Sequence, residues 1–178
     1  MIHEPIPRFI SYAPNVSKAL EAVLWIVEQK PGIDVYLVCK CLYFADLKHL
    51  SRYGRSIFGE KYVADTYGPR GEAAYGLMRH RMDEMIALGS SDVPVRVMTS
   101  APWTVTADRG PDREGLSESD IEVLAEALTG DARRLETFER FRHWRLPVFG
   151  NLAMAAGMSW HRLLERGSDH AKVLISRR

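Results

Sequence analysis

Tyr43-Phe44-Ala45-Asp46-Leu47-Lys48-His49-Leu50 is the stretch whose reading decides the fold. Read as a helix, it continues an apolar stripe of Val35, Val38, Cys39 and Leu42 through Asp46, His49, Leu50 and Tyr53. The steps are three and four residues throughout, the spacing of one helical face. A carboxylate on such a stripe is costly to bury unless it is paired or hydrogen-bonded. Asp46 therefore either closes a structural network or marks a recognition site. Tyr62-Val63-Ala64-Asp65-Thr66-Tyr67-Gly68-Pro69-Arg70 is the segment expected to offer it partners.

Working outward, Asp34 is a helix cap ahead of this stripe, and Gly54 is its stop after Tyr53. Apolar residues on other sides (Tyr36, Leu37, Cys41, Phe44) predict that this second helix is central. Before it, Asn15 caps a first helix carrying Val16, Ala19, Leu20, Val23, Leu24 and Val27, ended by Pro31-Gly32. Residues 1–14 hold three prolines and read as an extended arm. After Gly54, residues 62–67 are strand-like. Gly68-Pro69 is expected to start a third helix running through Leu77, Met78 and Met82 to about Leu88. Val93–Met98 and Trp103–Thr106 read as two strands. Ser117-Glu118-Ser119-Asp120 predicts a capping box and a helix through Leu128. Helical segments follow over 131–178. The expected fold class is α+β, predominantly helical, one domain over 1–178, with a small antiparallel sheet inserted after the third helix.

Composition is that of a globular domain: 178 residues, 46% hydrophobic and 26% charged, with a formal net charge of +1. That balance gives no overall bias toward nucleic acid or anionic lipid. Cys39 and Cys41 point to nearly opposite sides of a helix and cannot bridge each other, which suits a reducing cytosol. Without a leader-like or membrane-spanning apolar run, a cytoplasmic location is expected. The segment 131–178 carries ten Lys/Arg against five Asp/Glu, and its arginines 133, 134, 140, 142 and 145 leave a DNA-binding accessory as one alternative.

Chemistry-bearing motifs are sparse. No Gly-x-Ser-x-Gly elbow is present, and Gly68-Pro69-Arg70-Gly71 lacks the following Lys-Ser/Thr of a phosphate loop. Asp46 and His49 supply two metal ligands at one helical turn, and no third is placed by sequence, so neither metal nor cofactor is expected. The bland reading has Asp46 accept from the Gly68–Arg70 turn or from Tyr67, pinning the second helix to the third. The sharper alternative is a small-ligand or hydrolytic site built on Asp46 and His49.

These residues carry a resemblance. Leu42-Tyr43-Phe44-Ala45-Asp46-Leu47-x-His49-Leu50, Tyr53-Gly54-Arg55-Ser56-Ile57, Tyr62-Val63-Ala64 and Tyr67-Gly68-Pro69 follow one another as in the Panacea antitoxin domain, in its SocA-like branch. The likeness is good from about Val16 to Leu128, with 15–130 its best part. It thins over the basic segment 131–178, where His143 stands for a family histidine. The resemblance implies a non-enzymatic antitoxin that neutralises a protein toxin encoded beside it by binding. In the SocA-like branch it further implies a proteolytic adaptor delivering the toxin to ClpXP. On placement, Tyr43, Asp46, His49, Tyr53, Gly54, Tyr67, Gly68, Pro69 and His143 are expected to build the platform. Lys48, Arg52, Arg55, Tyr62 and Arg70 are the expected contact residues.

Overall fold

The computed structural model describes residues 13–65 and 68–131. Helix α1 (Val16–Gln29) begins where the Asn15 side chain accepts from the Lys18 N–H. Helix α2 (Val35–Tyr53) begins where Asp34 accepts from the N–H groups of Tyr36 and Leu37. It ends at Gly54, whose φ of 70° is the left-handed cap that glycine adopts without a Cβ penalty. Both helices stand where the apolar spacing and caps place them.

The segment after α2 departs from expectation. Strand β1 (Tyr62–Asp65) is followed not by a helix but by strand β2 (Gly68–Gly71), in antiparallel register with Tyr62 opposite Gly71. Pro69 therefore lies in a strand, not at the first turn of a helix. Helix α3 (Glu72–Met78) starts four residues later than expected and is short. The single long helix expected to reach Leu88 is two, because Arg79-His80-Arg81 breaks it before α4 (Met82–Leu88). His80 has φ 51°, outside the range a continuing helix allows. Its ring Nε2 lies 2.7 Å from the Val95 carbonyl, tying the turn to the next sheet.

Strands β3 (Val95–Val97) and β4 (Val105–Ala107) form the expected antiparallel pair. The chain entering α2 extends this sheet: Val35 N–H donates to the Trp103 carbonyl at 2.9 Å, and Val105 N–H donates to the Ile33 carbonyl at 2.7 Å. Helix α5 (Glu118–Glu126) opens with the capping box that Ser117 and Asp120 predict, and one wider turn over Ala127–Asp131 follows it. The fold is α+β and predominantly helical, with five α-helices and two small antiparallel sheets among the described residues.

One core joins these elements. The inner faces of α1 and α2 meet Ala74, Leu77 and Met78 of α3, Val95 and Val105 of the second sheet, and Val123, Leu124 and Ala127 around α5. Burying a Val, Leu or Met side chain of this core stabilises by about 1.5–3 kcal/mol. Among the described residues no helix is long and apolar enough to cross a membrane.

Candidate functional site

Asp46 and His49 are both fully buried on α2, yet they serve different neighbours. Asp46 faces the loop that leaves α2. Its Oδ1 accepts from the Ser56 hydroxyl at 3.0 Å and the Ile57 N–H at 2.8 Å, and its Oδ2 accepts from the Tyr62 phenol at 2.7 Å. Burial pushes the carboxyl upward, while the donors Ile57, Tyr62 and Ser56 oppose that shift. The Tyr62 phenol is held well above its ordinary range by burial and by the neighbouring carboxyls of Asp46 and Glu60. The partners expected from the Gly68–Arg70 turn are replaced by this loop, and Tyr67 lies outside the described residues.

The anion at the start of α3 is Glu60, which the sequence reading did not single out. Its carboxylate accepts from Ala73 N–H and Ala74 N–H, each at 3.0 Å, and from Lys61 N–H at 2.8 Å. It thereby caps a helix whose own N-cap, Gly71, has no side chain to do so. A Cβ on Gly71 would lie 2.5–2.8 Å from the Glu60 side chain, so the glycine makes room for the carboxylate. Burial raises the Glu60 carboxyl to about 7 against those three donors, with Asp46 adding to the rise. No local signal marks Glu60 as the cap of α3, because Ala73 and Ala74 lie more than ten residues away across a hairpin.

His49 turns toward α5. Its Nδ1 lies 2.9 Å from the Arg55 carbonyl, which only accepts, so this nitrogen carries a proton. Nε2 lies 3.2 Å from both the Ser119 hydroxyl and Asp120 Oδ1. Asp120 is itself fully buried and also takes Lys18 Nζ at 2.6 Å, Arg55 at 3.4 Å and the Ser117 N–H at 2.9 Å. Burial opposes its ionisation, but the hydrogen bonds from His49, Lys18 and Ser117 outweigh it and hold the carboxyl well below the usual range. The Asp120 carboxylate so links α1, α2 and the cap of α5. Its capping spacing was readable; its two long-range cations were not.

The expected contact residues fall into three settings. Lys48 and Arg52 lie along α2 against α5: Lys48 pairs with Glu126 at 3.1 Å, and Arg52 with Glu126 at 2.7 Å and Glu122 at 3.1 Å. Tyr53 donates to Glu122 at 2.8 Å on the same seam. Arg55 borders Ser117, Ser119 and Asp120. Arg70 stacks over the Tyr75 ring at 4.4 Å. Tyr62 corrects the expectation: it is fully buried, because its phenol is needed by Asp46, and it presents no contact surface. Tyr43 packs edge-on against Phe44 and Tyr62 with centroids 5.2 Å apart. Gly54 caps α2, while Gly68 and Pro69 contribute backbone to β2. His143 and the basic segment 131–178 lie outside the described residues beyond Asp131.

Asp46 and His49 thus form no shared site. Both are sealed from solvent and engaged by internal partners, which is the arrangement of a structural pair rather than of a reactive one. Among the described residues no three His, Cys, Asp or Glu side chains are grouped to hold a metal.

A family model described as "Antitoxin SocA-like, Panacea domain" matches residues 38–139. The matched stretch starts inside α2, later than the Val16 suggested by the sequence motifs. It takes in the Asp46 and Glu60 loops, both sheets and α5. No curated protein and no solved structure matches the chain. With more than half of its length under that model, the chain belongs to the SocA-like antitoxin family, and its matched part is a Panacea domain.

Proposed function

We propose that this chain neutralises a cognate protein toxin by binding it, and that it acts as an adaptor handing the toxin to the ClpXP protease. The observation that carries the reading is the family match over residues 38–139. What supports binding over catalysis is the state of the buried ionisable groups. Asp46, Glu60 and Asp120 each accept several internal hydrogen bonds, and each ties one segment of the fold to another. Such groups build a rigid scaffold; a general acid or base needs access to a substrate proton. The proposed role is therefore non-enzymatic.

The test is co-expression. The protein encoded by the adjacent reading frame should arrest growth alone and should be tolerated when this chain is present, with the two co-purifying. The adaptor step is read separately, as the toxin's half-life in cells with and without ClpXP. A half-life that is short only when both the chain and ClpXP are present supports delivery. A half-life indifferent to ClpXP, with growth still restored, reduces the mechanism to sequestration. Growth arrest that the chain does not relieve overturns the antitoxin reading.

A further inference from the structure

We propose that the turn between α3 and α4 is the docking surface for an acidic segment of the partner protein. This inference rests on the toxin-binding reading and places it on the molecule. The guanidinium carbons of Arg70, Arg79 and Arg81 lie 4.4, 5.9 and 5.7 Å from the centroid of the single Tyr75 ring. Arg79 and Arg81 repel one another at this ring, and a π face offsets only part of that repulsion.

The convergence is a product of the broken helix. In a continuous helix Arg79, four residues after Tyr75, shares its face, whereas Arg81, six after, points away. The positive φ of His80 turns the chain so that Arg81 returns to the same ring. Hairpin β1–β2 delivers Arg70 to the same ring. A bulky residue in the left-handed region is a strained choice, and His80 is the one non-glycine residue with positive φ among those described.

The cations on the α2–α5 seam are already matched by Glu122, Glu126 and Asp120. Arg79 and Arg81 are exposed and make no ion pair among the described residues. The nearby acids do not quench them: Glu84 lies in against Gly76, and neither Glu72 nor Asp83 pairs with either arginine. Arg70 has contacts of its own in the fold and serves here as part of the ring's frame. Directly after Arg81, Met82 and Ile86 stand one turn apart on α4, each 69% exposed. Arg, Tyr and Met are the residue types enriched at interfaces and their hot spots. Uncompensated guanidiniums beside exposed apolar side chains fit a carboxylate-bearing segment with an apolar anchor, the guanidinium fork matching carboxylate geometry.

The experiment titrates the full chain with the purified protein of the adjacent reading frame. Arg79→Glu plus Arg81→Glu should weaken binding by at least about tenfold while leaving the melting temperature close to the parent's, since both arginines are exposed and touch the fold only through the Tyr75 ring. Met82→Ser plus Ile86→Ser should weaken it several-fold without changing charge. Raising salt from about 50 to 300 mM should weaken the parent more steeply than the double arginine variant. A control, Lys30→Glu on the exposed end of α1, should bind as the parent does. Unchanged affinity in both double variants overturns the surface and leaves the antitoxin reading standing. A parent chain that does not bind the adjacent protein overturns both. Variants that lose duplex DNA binding or self-association, yet hold the toxin, assign the turn to another occupant and overturn the proposal.

Discussion

Tyr62 donates its phenol to Asp46 across 2.7 Å of fully buried interior, so the first strand after α2 is bonded back to the middle of α2 by two side chains sixteen residues apart. Three donors converge on this carboxylate, and both of its oxygens are used. Asp46→Asn must turn an amide N–H₂ toward at least one of them. The expected cost is about 1–3 kcal/mol, the scale of a buried polar group left unsatisfied. Tyr62→Phe should cost a similar amount by orphaning Oδ2. Urea midpoints at neutral pH check both, and an unchanged midpoint for either would remove Asp46 from the structural role assigned here.

Glu60 makes stability fall as pH rises through the weakly acidic range. Its ordinary value is 4.5, and in the fold burial raises it to about 7. The folded state therefore binds the proton more tightly than the unfolded chain does. The stabilisation this gives is complete below 4.5 and is lost progressively as pH rises to about 7. In Glu60→Gln that window should flatten. The variant should also be less stable at low pH by about 1–2 kcal/mol, since the amide nitrogen only donates and leaves at least one of the three backbone N–H groups without an acceptor. Thermal melts between pH 4.5 and 7, parent against variant, read both effects. Parallel melts with equal slopes would exclude Glu60 as the titrating group.

Asp120 works with the opposite sign. Its carboxyl is held below its unfolded value, so its contribution is present above about pH 4 and disappears only as pH falls toward the depressed folded value. Asp120→Asn leaves Lys18 and His49 facing a neutral amide and weakens the cap of α5. A loss of about 2–4 kcal/mol is expected at pH 7. The gap between parent and variant should narrow below pH 4, measured by chemical denaturation at several pH values.

Gly71→Ala tests the cap of α3 from the other side. The new methyl would lie within 3 Å of Glu60, whose fully buried carboxylate is pinned by three N–H groups. Gly71 is the extended N-cap of α3, where alanine is itself somewhat less favourable than glycine, so the steric conflict is isolated by pairing this change with one at Glu60. About 1–3 kcal/mol is expected, in the range for overpacking a tight interior. The double variant Gly71→Ala, Glu60→Ala should lose less than the sum of the two single losses.

The α2–α5 seam is expected to matter little for stability. Arg52 and Glu126 are partly exposed, and such pairs contribute under about 1 kcal/mol, less in salt. Arg52→Ala should shift the melting temperature by no more than a few degrees at low salt, and by less near 1 M. A large, salt-independent loss would mean that Arg52 packs through its stem rather than pairs through its charge.

Helices α1, α2 and α5 were legible because their signals are local. Asn15, Asp34 and Ser117 each accept hydrogen bonds from backbone N–H groups two or three residues ahead, and the apolar spacing between cap and stop repeats on one face. The burial of Asp46 and His49 followed from the same periodicity. Pro69 misled because the first turn of a helix and an edge strand both tolerate a missing N–H. What only the tertiary structure decided is which distant groups meet. Glu60 reaches α3 through a folded hairpin, Lys18 reaches Asp120 by the packing of α1, and the His80 turn swings Arg81 onto Tyr75. Caps and stripes are set by interactions within a few residues, so a sequence determines them by itself. The partner of a buried charge is selected by the free energy of the whole packed core, in which contacts far apart along the chain compete for the same donors.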